Sequence, residues 1–240
     1  MVSVVVTGAN RGIGLGLVKE FLKQDNVIVL FATTRNAQSS TELKAIQDAR
    51  VRVIEMDLDS DDSIKRAVSE IDASLGGKGL DLLVNNSGVL YPVDMNGPLD
   101  RKAVSVNLEV NAVGTLIVTQ AFLPLLRKAS RVHGLSRVVN ISSFLGSIAS
   151  SMGSTPRNFL AYNMSKAAVN MLTKTLSVDL KDDKIYVTSF CPGWVQTDMG
   201  GKEAALTVDQ SASHLVKSIK ALGPEHSGGY YQNTLEPIPY

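Results

Sequence analysis

The sequence predicts an α/β protein: one domain built on a doubly wound parallel sheet, with helices on both faces. Three observations predict it. Strand-like apolar runs alternate with helical patterns along most of the chain. The runs are nearly continuous in Val, Ile and Leu, as expected of strands covered by helices on both sides. No low-complexity linker divides the 240 residues, a length that can bury a sizeable core in one domain.

The elements follow in order. "VSVVVTG" reads as the first strand and "GLGLVKEFLKQ" as an amphipathic helix after it. "VIVLFATTR" and "STELKAIQ" repeat the pair, as do "VRVIEMDL" and "SDDSIKRAVSEI". "LDLLVNNSG" is a fourth strand, followed by a long helical region from about Leu99 to Arg127. "SRVVNISS" leads through a loop into a helix containing "YNMSK", and "KIYVTSFCPG" ends the strong strands. A weaker "GGYYQN" is a candidate for one more. The Ser/Gly-rich stretch from Gly146 to Asn158 is the best candidate for an irregular active-site loop.

Composition narrows the function classes. Hydrophobic residues make up 44% and charged residues 20%, ordinary values for a globular chain. A net charge of +1 gives no basic footprint for nucleic acid, so none is expected as a partner. One cysteine, Cys191, excludes an intrachain disulfide, and with His133, His214 and His226 scattered no metal site is expected. Cys191 reads as a buried structural thiol, with a reactive thiol as the alternative. The apolar stretch Val113 to Leu126 is broken by Thr, Gln and Pro and is short for a bilayer, so no membrane span is expected. The chain runs directly into its first strand without a separate cleavable segment. A reducing, cytoplasmic setting is the resulting expectation.

The candidate chemistry lies at strand ends. "TGANRGIG" places Gly8, Gly12 and Gly14 where a backbone can turn tightly against a pyrophosphate at a helix N-terminus. Three glycines also make an ordinary turn; their place after the first strand favours the dinucleotide reading. Strand two ends "ATTRN", so Arg35 stands where an NAD site would show a carboxylate. With Arg11 inside the glycine loop, the two cations favour a 2′-phosphate and hence NADP(H), although either alone reads as a solvated charge. Asp57 looks placed for the adenine edge, but "DLDSDD" competes as a helix start. In "NNSG", Gly88 would let the chain pass close to a cofactor while Asn85 ties neighbouring strands.

Tyr162 and Lys166 stand one helical turn apart. A half-buried ring beside a solvated charge is common on helices. The sharper reading is that the ammonium lowers the phenol's pKa and makes it a proton-transfer group near neutral pH.

Taken together and in order, "TGANRGIG", "NNSG", "VNAVGTLIVTQAFLP", "VVNISS", "YNMSK" and "PGWVQT" resemble a classical short-chain dehydrogenase/reductase, from the first strand to about residue 200. The resemblance implies a single Rossmann-fold domain over residues 1–240. It implies Tyr162 as the general acid of carbonyl reduction and Lys166 as its electrostatic partner, which also holds the nicotinamide ribose. Ser143 is the implied donor to the substrate oxygen, chosen over Ser142 by its spacing to Gly146. Asn111, rather than Asn107 one turn earlier, is the implied fourth member, holding a proton-relaying water. The implied cofactor contacts are Gly8, Asn10, Arg11, Gly12, Ile13, Gly14, Arg35, Asp57, Leu58, Asn85, Ser87, Gly88, Tyr162, Lys166, Pro192, Gly193, Val195 and Thr197.

Two departures qualify this pattern. Ser87 replaces the usual alanine, and Ser143 and Tyr162 are 19 residues apart, more than is usual, which implies a reshaped substrate entrance. The short segment after Thr197 implies a small lid. "TGANRGIGLGLVKEFLK", "LAYNMSKAAVNMLTKTLSVDLK" and "FCPGWVQTDMGGKEAALT" are similar to the sniffer-type carbonyl reductases, related to the bacterial C-factor. That similarity implies NADPH-dependent reduction of aldehydes, ketones or quinones and a protective role in oxidative stress. Phe144, Leu145, Trp194 and Tyr91 are candidate pocket walls, though large apolar residues are more often core. A homodimer through "NAVGTLIVTQAFLPLL" and "SKAAVNMLTKTLSV" is implied, but packing on their own sheet explains these faces equally. The alternatives are a dinucleotide sensor without turnover, against which the intact tetrad argues, and a steroid or pterin reductase of the same fold.

Overall fold

Val4 and Val6 of β1 (Val2–Val6) pack into one apolar layer and Val5 into another. Side chains alternate across a strand, so a continuous apolar run is what two covered faces require. The computed structural model describes residues 2–150 and 158–240. After β1 come α1 (Gly12–Leu22), β2 (Val27–Thr34), a single turn α2 (Thr41–Lys44), β3 (Val51–Glu55) and α3 (Asp61–Leu75). Next are β4 (Leu82–Asn85), α4 (Arg101–Leu108), a π-helical turn (Glu109–Val113), α5 (Gly114–His133) and β5 (Ser136–Ile141). A 3-10 turn (Phe144–Gly146), α6 (Leu160–Asp179), β6 (Ile185–Cys191), α7 (Val208–Lys220) and β7 (Tyr230–Gln232) complete the chain.

The strands form one parallel sheet in the order β3-β2-β1-β4-β5-β6-β7. The chain winds outward from β1 to β3, then crosses back to place β4 on the other side of β1. That reversal opens a crevice at the carboxyl ends of β1 and β4, the position at which such sheets bind ligands. One face buries Leu17, Val18 and Phe21 of α1 against Leu215, Val216 and Ile219 of α7. The other buries Ile64 and Ile71 of α3, and Val118, Phe122 and Leu126 of α5. Each such side chain contributes roughly 1.5–3 kcal/mol by leaving water.

Two elements differ from the sequence expectation and two refine it. The helix expected in "STELKAIQ" stops after α2. Asp48, just beyond that stretch, accepts from the backbone N–H of Arg50, two residues on, at 2.9 Å and pairs with the Arg50 guanidinium at 2.8 Å, a local turn that competes with helix. The same guanidinium donates to the carbonyls of Leu22, Gln24 and Val27. Second, α7 has no counterpart in the reading above, although its Thr207–Gln210 capping box marks its start. Third, the long helical region runs unbroken for 33 residues, Arg101–His133, enough by length and composition to cross a bilayer. It lies on the sheet, with Val118, Phe122, Leu125 and Leu126 buried, as a core helix does. Fourth, the weak "GGYYQN" does contain a strand, β7, parallel to β6. The expected loop 146–158 falls mostly on residues 151–157, outside the described residues.

Candidate active site

The crevice at the ends of β1 and β4 is built by backbone contacts that only small residues permit. A Cβ on Gly14 would stand 2.2 Å from the Gly8 carbonyl oxygen and 2.6 Å from Asn86 Nδ2. The first turn of α1 therefore closes directly on the loop before it. Gly14→Ala is expected to destabilise the protein by about 1–3 kcal/mol through this collision. A lowered thermal midpoint would show it; an unchanged midpoint would mean the loop relaxes freely.

The glycine loop is locked to the turn after β4. Asn86 Nδ2 donates to the carbonyls of Thr7 (2.9 Å) and Gly8 (3.2 Å). Thr7 Oγ1 accepts from the N–H groups of Asn86 and Ser87, both at 3.0 Å. Ala9 N donates to Thr33 O at 2.8 Å, joining the same loop to the end of β2. Thr7 and Asn86 carry this geometry and were not singled out from the sequence. The doubled Asn of "NNSG" was the available signal.

Asn85 is buried, and its amide donates to Thr119 Oγ1 and Asn140 Oδ1, both at 2.9 Å. It joins β4 to α5 and β5, as its strand-tying reading predicts, and its side chain points into the core. Asp57 is half-buried and accepts from Asp59 N at 3.2 Å, the local turn that was its competing reading. The cap of α3 is Ser60, which accepts from Ser63 N. Leu58 packs at the start of α5, beside Gly114.

The two arginines part company. Arg35 is exposed at the end of β2 and, among the described residues, takes part in no ion pair. Arg11 is also exposed, but its guanidinium pairs with Asp198, 187 residues along the chain. That ion pair links the glycine loop to the segment after β6. There Thr197 lies over Gly12, accepts from Gly200 N at 3.1 Å, and donates to Val195 O at 3.3 Å. Pro192 O accepts from Ser211 Oγ (2.7 Å) and Asn233 Nδ2 (3.0 Å), fixing the turn that contains Gly193. Residues 194–206 fold back on themselves through the Val195–Leu206 bridge.

Ser143, Tyr162, Lys166 and Asn111 converge beside this crevice. Asn111 sits in the π-helical turn, where Thr115 Oγ1 donates to its carbonyl at 2.7 Å. Its amide donates to Val89 O (2.8 Å) and Ser165 Oγ (2.9 Å), and its Oδ1 accepts from Val89 N (2.8 Å). Ser165, fully buried and also unforeseen, donates onward to Tyr162 O at 2.7 Å. Asn107, one turn earlier, holds Tyr91 and Ala103 instead. A Cβ on Gly88 would fall 3.1 Å from Asn111 Oδ1 and 3.5 Å from Lys166 Nζ, so these groups meet at that glycine.

The two serines after β5 also separate. Ser142 is buried and donates to Lys166 O at 3.3 Å, while Ser143 faces the crevice, partly exposed. Ser143 Oγ accepts from Leu145 N at 3.2 Å, leaving its proton free for another acceptor.

The electrostatics correct the expected Tyr–Lys pairing. Burial pushes the Tyr162 phenol up to about 12, and the Ser143 side chain beside it pulls the other way. Burial pushes the Lys166 ammonium down to about 8. Lys166 Nζ stands 5.6 Å from the Tyr162 ring centroid and donates to Ile141 O at 2.8 Å. The ammonium is thus tied to the end of β5, and burial rather than the ammonium sets the direction in which the phenol moves. Cys191 is buried, and burial pushes its thiol up, the condition of an inert structural cysteine. Of the candidate pocket walls, Tyr91, Phe144 and Trp194 are 42–58% exposed and Leu145 is half-buried, so none of them is core.

Comparison with known proteins agrees with this geometry. The family model for short chain dehydrogenase matches residues 3–206. The Sniffer protein of Caenorhabditis elegans is 41% identical over the full length of both chains, with a TM-score of 0.91. Carbonyl reductase Sniffer of D. melanogaster is 35% identical, again over both full chains, with a TM-score of 0.94. An NADPH-bound carbonyl reductase from chicken fatty liver is 35% identical, covering 99% of this chain and 98% of its own, with a TM-score of 0.93. On its sequence, its parallel sheet and the residues gathered at the sheet's switch point, the chain is an oxidoreductase of the short-chain dehydrogenase family.

Proposed function

We propose that this protein reduces a small reactive carbonyl, an aldehyde, ketone or quinone, using NADPH, with Tyr162 as the proton donor. The observation that carries the reading is the meeting of a buried phenol, a serine hydroxyl with a free proton and a buried ammonium beside the glycine loop. The full-length likeness to carbonyl reductases, one of them NADPH-bound, supports it.

The residues present fit such a cofactor. The cradle at Gly8 and Gly14 leaves no room for side chains and opens onto the N-terminus of α1, which suits a pyrophosphate. Arg35 is available for a 2′-phosphate. Lys166 would hold ribose hydroxyls, and the turn from Pro192 to Thr197 the carboxamide. When bound, the nicotinamide supplies a hydride to the carbonyl carbon. Negative charge then develops on the carbonyl oxygen. Ser143 donates a hydrogen bond to it, and Tyr162 delivers the proton that completes the alcohol. A phenol pushed up to about 12 stays protonated through neutral pH, the state that a donor needs.

The pH profile follows from the other buried group. An amine whose pKa is lowered keeps its charge below that value and loses it above. With Lys166 down at about 8, reduction is expected to hold level below that pH and decline above it. A decline that begins only near the Tyr162 value would exclude Lys166 as the group responsible.

Loss of the NADPH absorbance band with an o-quinone and a panel of small aldehydes tests the proposal. Carbonyl-dependent loss is expected. Tight NADPH binding with no loss across the panel would favour a sensor.

A further inference from the structure

We propose that Tyr230, with Asn170, is a positioning residue for Ser143: buried side chains hold both ends of the turn that aims the serine hydroxyl. The inference rests on the carbonyl-reductase reading above and concerns the wall behind the site.

Tyr230 of β7 is 2% exposed, and its hydroxyl donates to the Ser143 carbonyl. Asn170 lies one turn beyond Lys166 on α6, and its Nδ2 donates to Gly146 O at 3.2 Å. Asn170 Oδ1 in turn accepts from Ser189 Oγ on β6 at 3.3 Å. The Phe144–Gly146 turn is therefore fastened at the residue before it and at its last residue, from two different elements. The chain after it is fastened too, since Ser147 Oγ donates to Pro239 O (2.6 Å) and Ala149 N to Tyr240 O (2.9 Å).

A phenylalanine at 230 would fill nearly the same space, so packing alone does not call for the hydroxyl. A buried hydroxyl needs a partner, and this one selects the carbonyl of Ser143. Ser143 is extended, with φ −158° and ψ 147°, and the direction of its carbonyl is set by that ψ. Holding the carbonyl therefore limits rotation of the segment from which the Ser143 side chain projects. Burial pushes the Tyr230 phenol up, so it remains a donor throughout the working pH range. Misplacement of a reacting group by about 1 Å can lower a rate by about a hundredfold.

The test is steady-state NADPH oxidation with a carbonyl substrate by wild type, Tyr230→Phe, Ser143→Ala and the double variant. Tyr230→Phe keeps the ring and its packing on Tyr240, centroids 5.9 Å apart, and removes one hydrogen bond. Expected are a fall in kcat of about tenfold, an unchanged dissociation constant for NADPH, and almost no further loss when Tyr230→Phe is added to Ser143→Ala. Tyr240→Phe, which removes the bond to Gly228 O on the same wall, is expected to leave kcat unchanged. Multiplying losses in the double variant, or an unchanged rate in Tyr230→Phe, would overturn the assignment. If Tyr230→Phe does not fold, Asn170→Ser loosens the other end of the turn and carries the same expectations. A wild type that turns over no carbonyl would overturn the functional reading and the assignment with it. An active wild type indifferent to these substitutions would overturn the assignment alone.

Discussion

Replacing Tyr162 by Phe is expected to lower kcat for carbonyl reduction by about a thousandfold, within the range of a lost general acid. The ring is 7% exposed and packed, so Phe keeps its place in the core. What disappears is the hydroxyl that, beside Ser143, is placed to hand its proton to the carbonyl oxygen. Ser143 can donate a hydrogen bond, but an alkoxide on serine is too unstable for it to surrender its proton. Lys166, donating to Ile141 O, is held at the end of β5. Since no apolar contact is lost, the NADPH dissociation constant is expected to stay near the wild-type value. Fluorescence titration and single-turnover rates separate the two quantities. A variant within severalfold of the wild-type rate would remove Tyr162 from the chemistry.

Arg35→Asp is expected to weaken NADPH by about a hundredfold or more, since it removes a charge-assisted contact and sets a carboxylate against the 2′-phosphate. NADH, which lacks that phosphate, should be little weakened or even gain. Arg35 is the arginine to change because Arg11 already pairs with Asp198. That exposed pair is worth no more than about 1 kcal/mol, so Arg11 can exchange partners at small cost. Titrating both nucleotides against wild type and variant checks the prediction. Equal losses for the two would show that Arg35 does not meet the 2′-phosphate.

The sheet was legible because both of its faces are covered, which makes strands such as "VSVVV" and "VIVLFATT" conspicuous. α7 escaped because Ala212, Leu215, Val216 and Ile219 are interleaved with Ser and charged residues. Its capping box was nevertheless readable. α2 came out shorter than its pattern because Asp48 and Arg50 form a turn that local periodicity does not register. At the site, resemblance to the family's motifs distinguished Ser143 from Ser142 and Asn111 from Asn107, and the structure gives each pair different partners. The Tyr162–Lys166 electrostatics were misjudged because one helical turn says nothing of burial, and burial governs both groups. Thr7, Asn86, Ser165 and Tyr230 act across long sequence separations, which only the folded chain reveals.

Direct hydride delivery from NADPH to a carbonyl carbon is the step on which the proposed function turns. It is tested most directly by turning over an aldehyde with NADPH fully deuterated at nicotinamide C4 and weighing the alcohol formed. One deuterium is expected on the carbinol carbon of every product molecule. An unlabelled alcohol, or no alcohol from enzyme saturated with NADPH and offered the full panel of aldehydes, would contradict it.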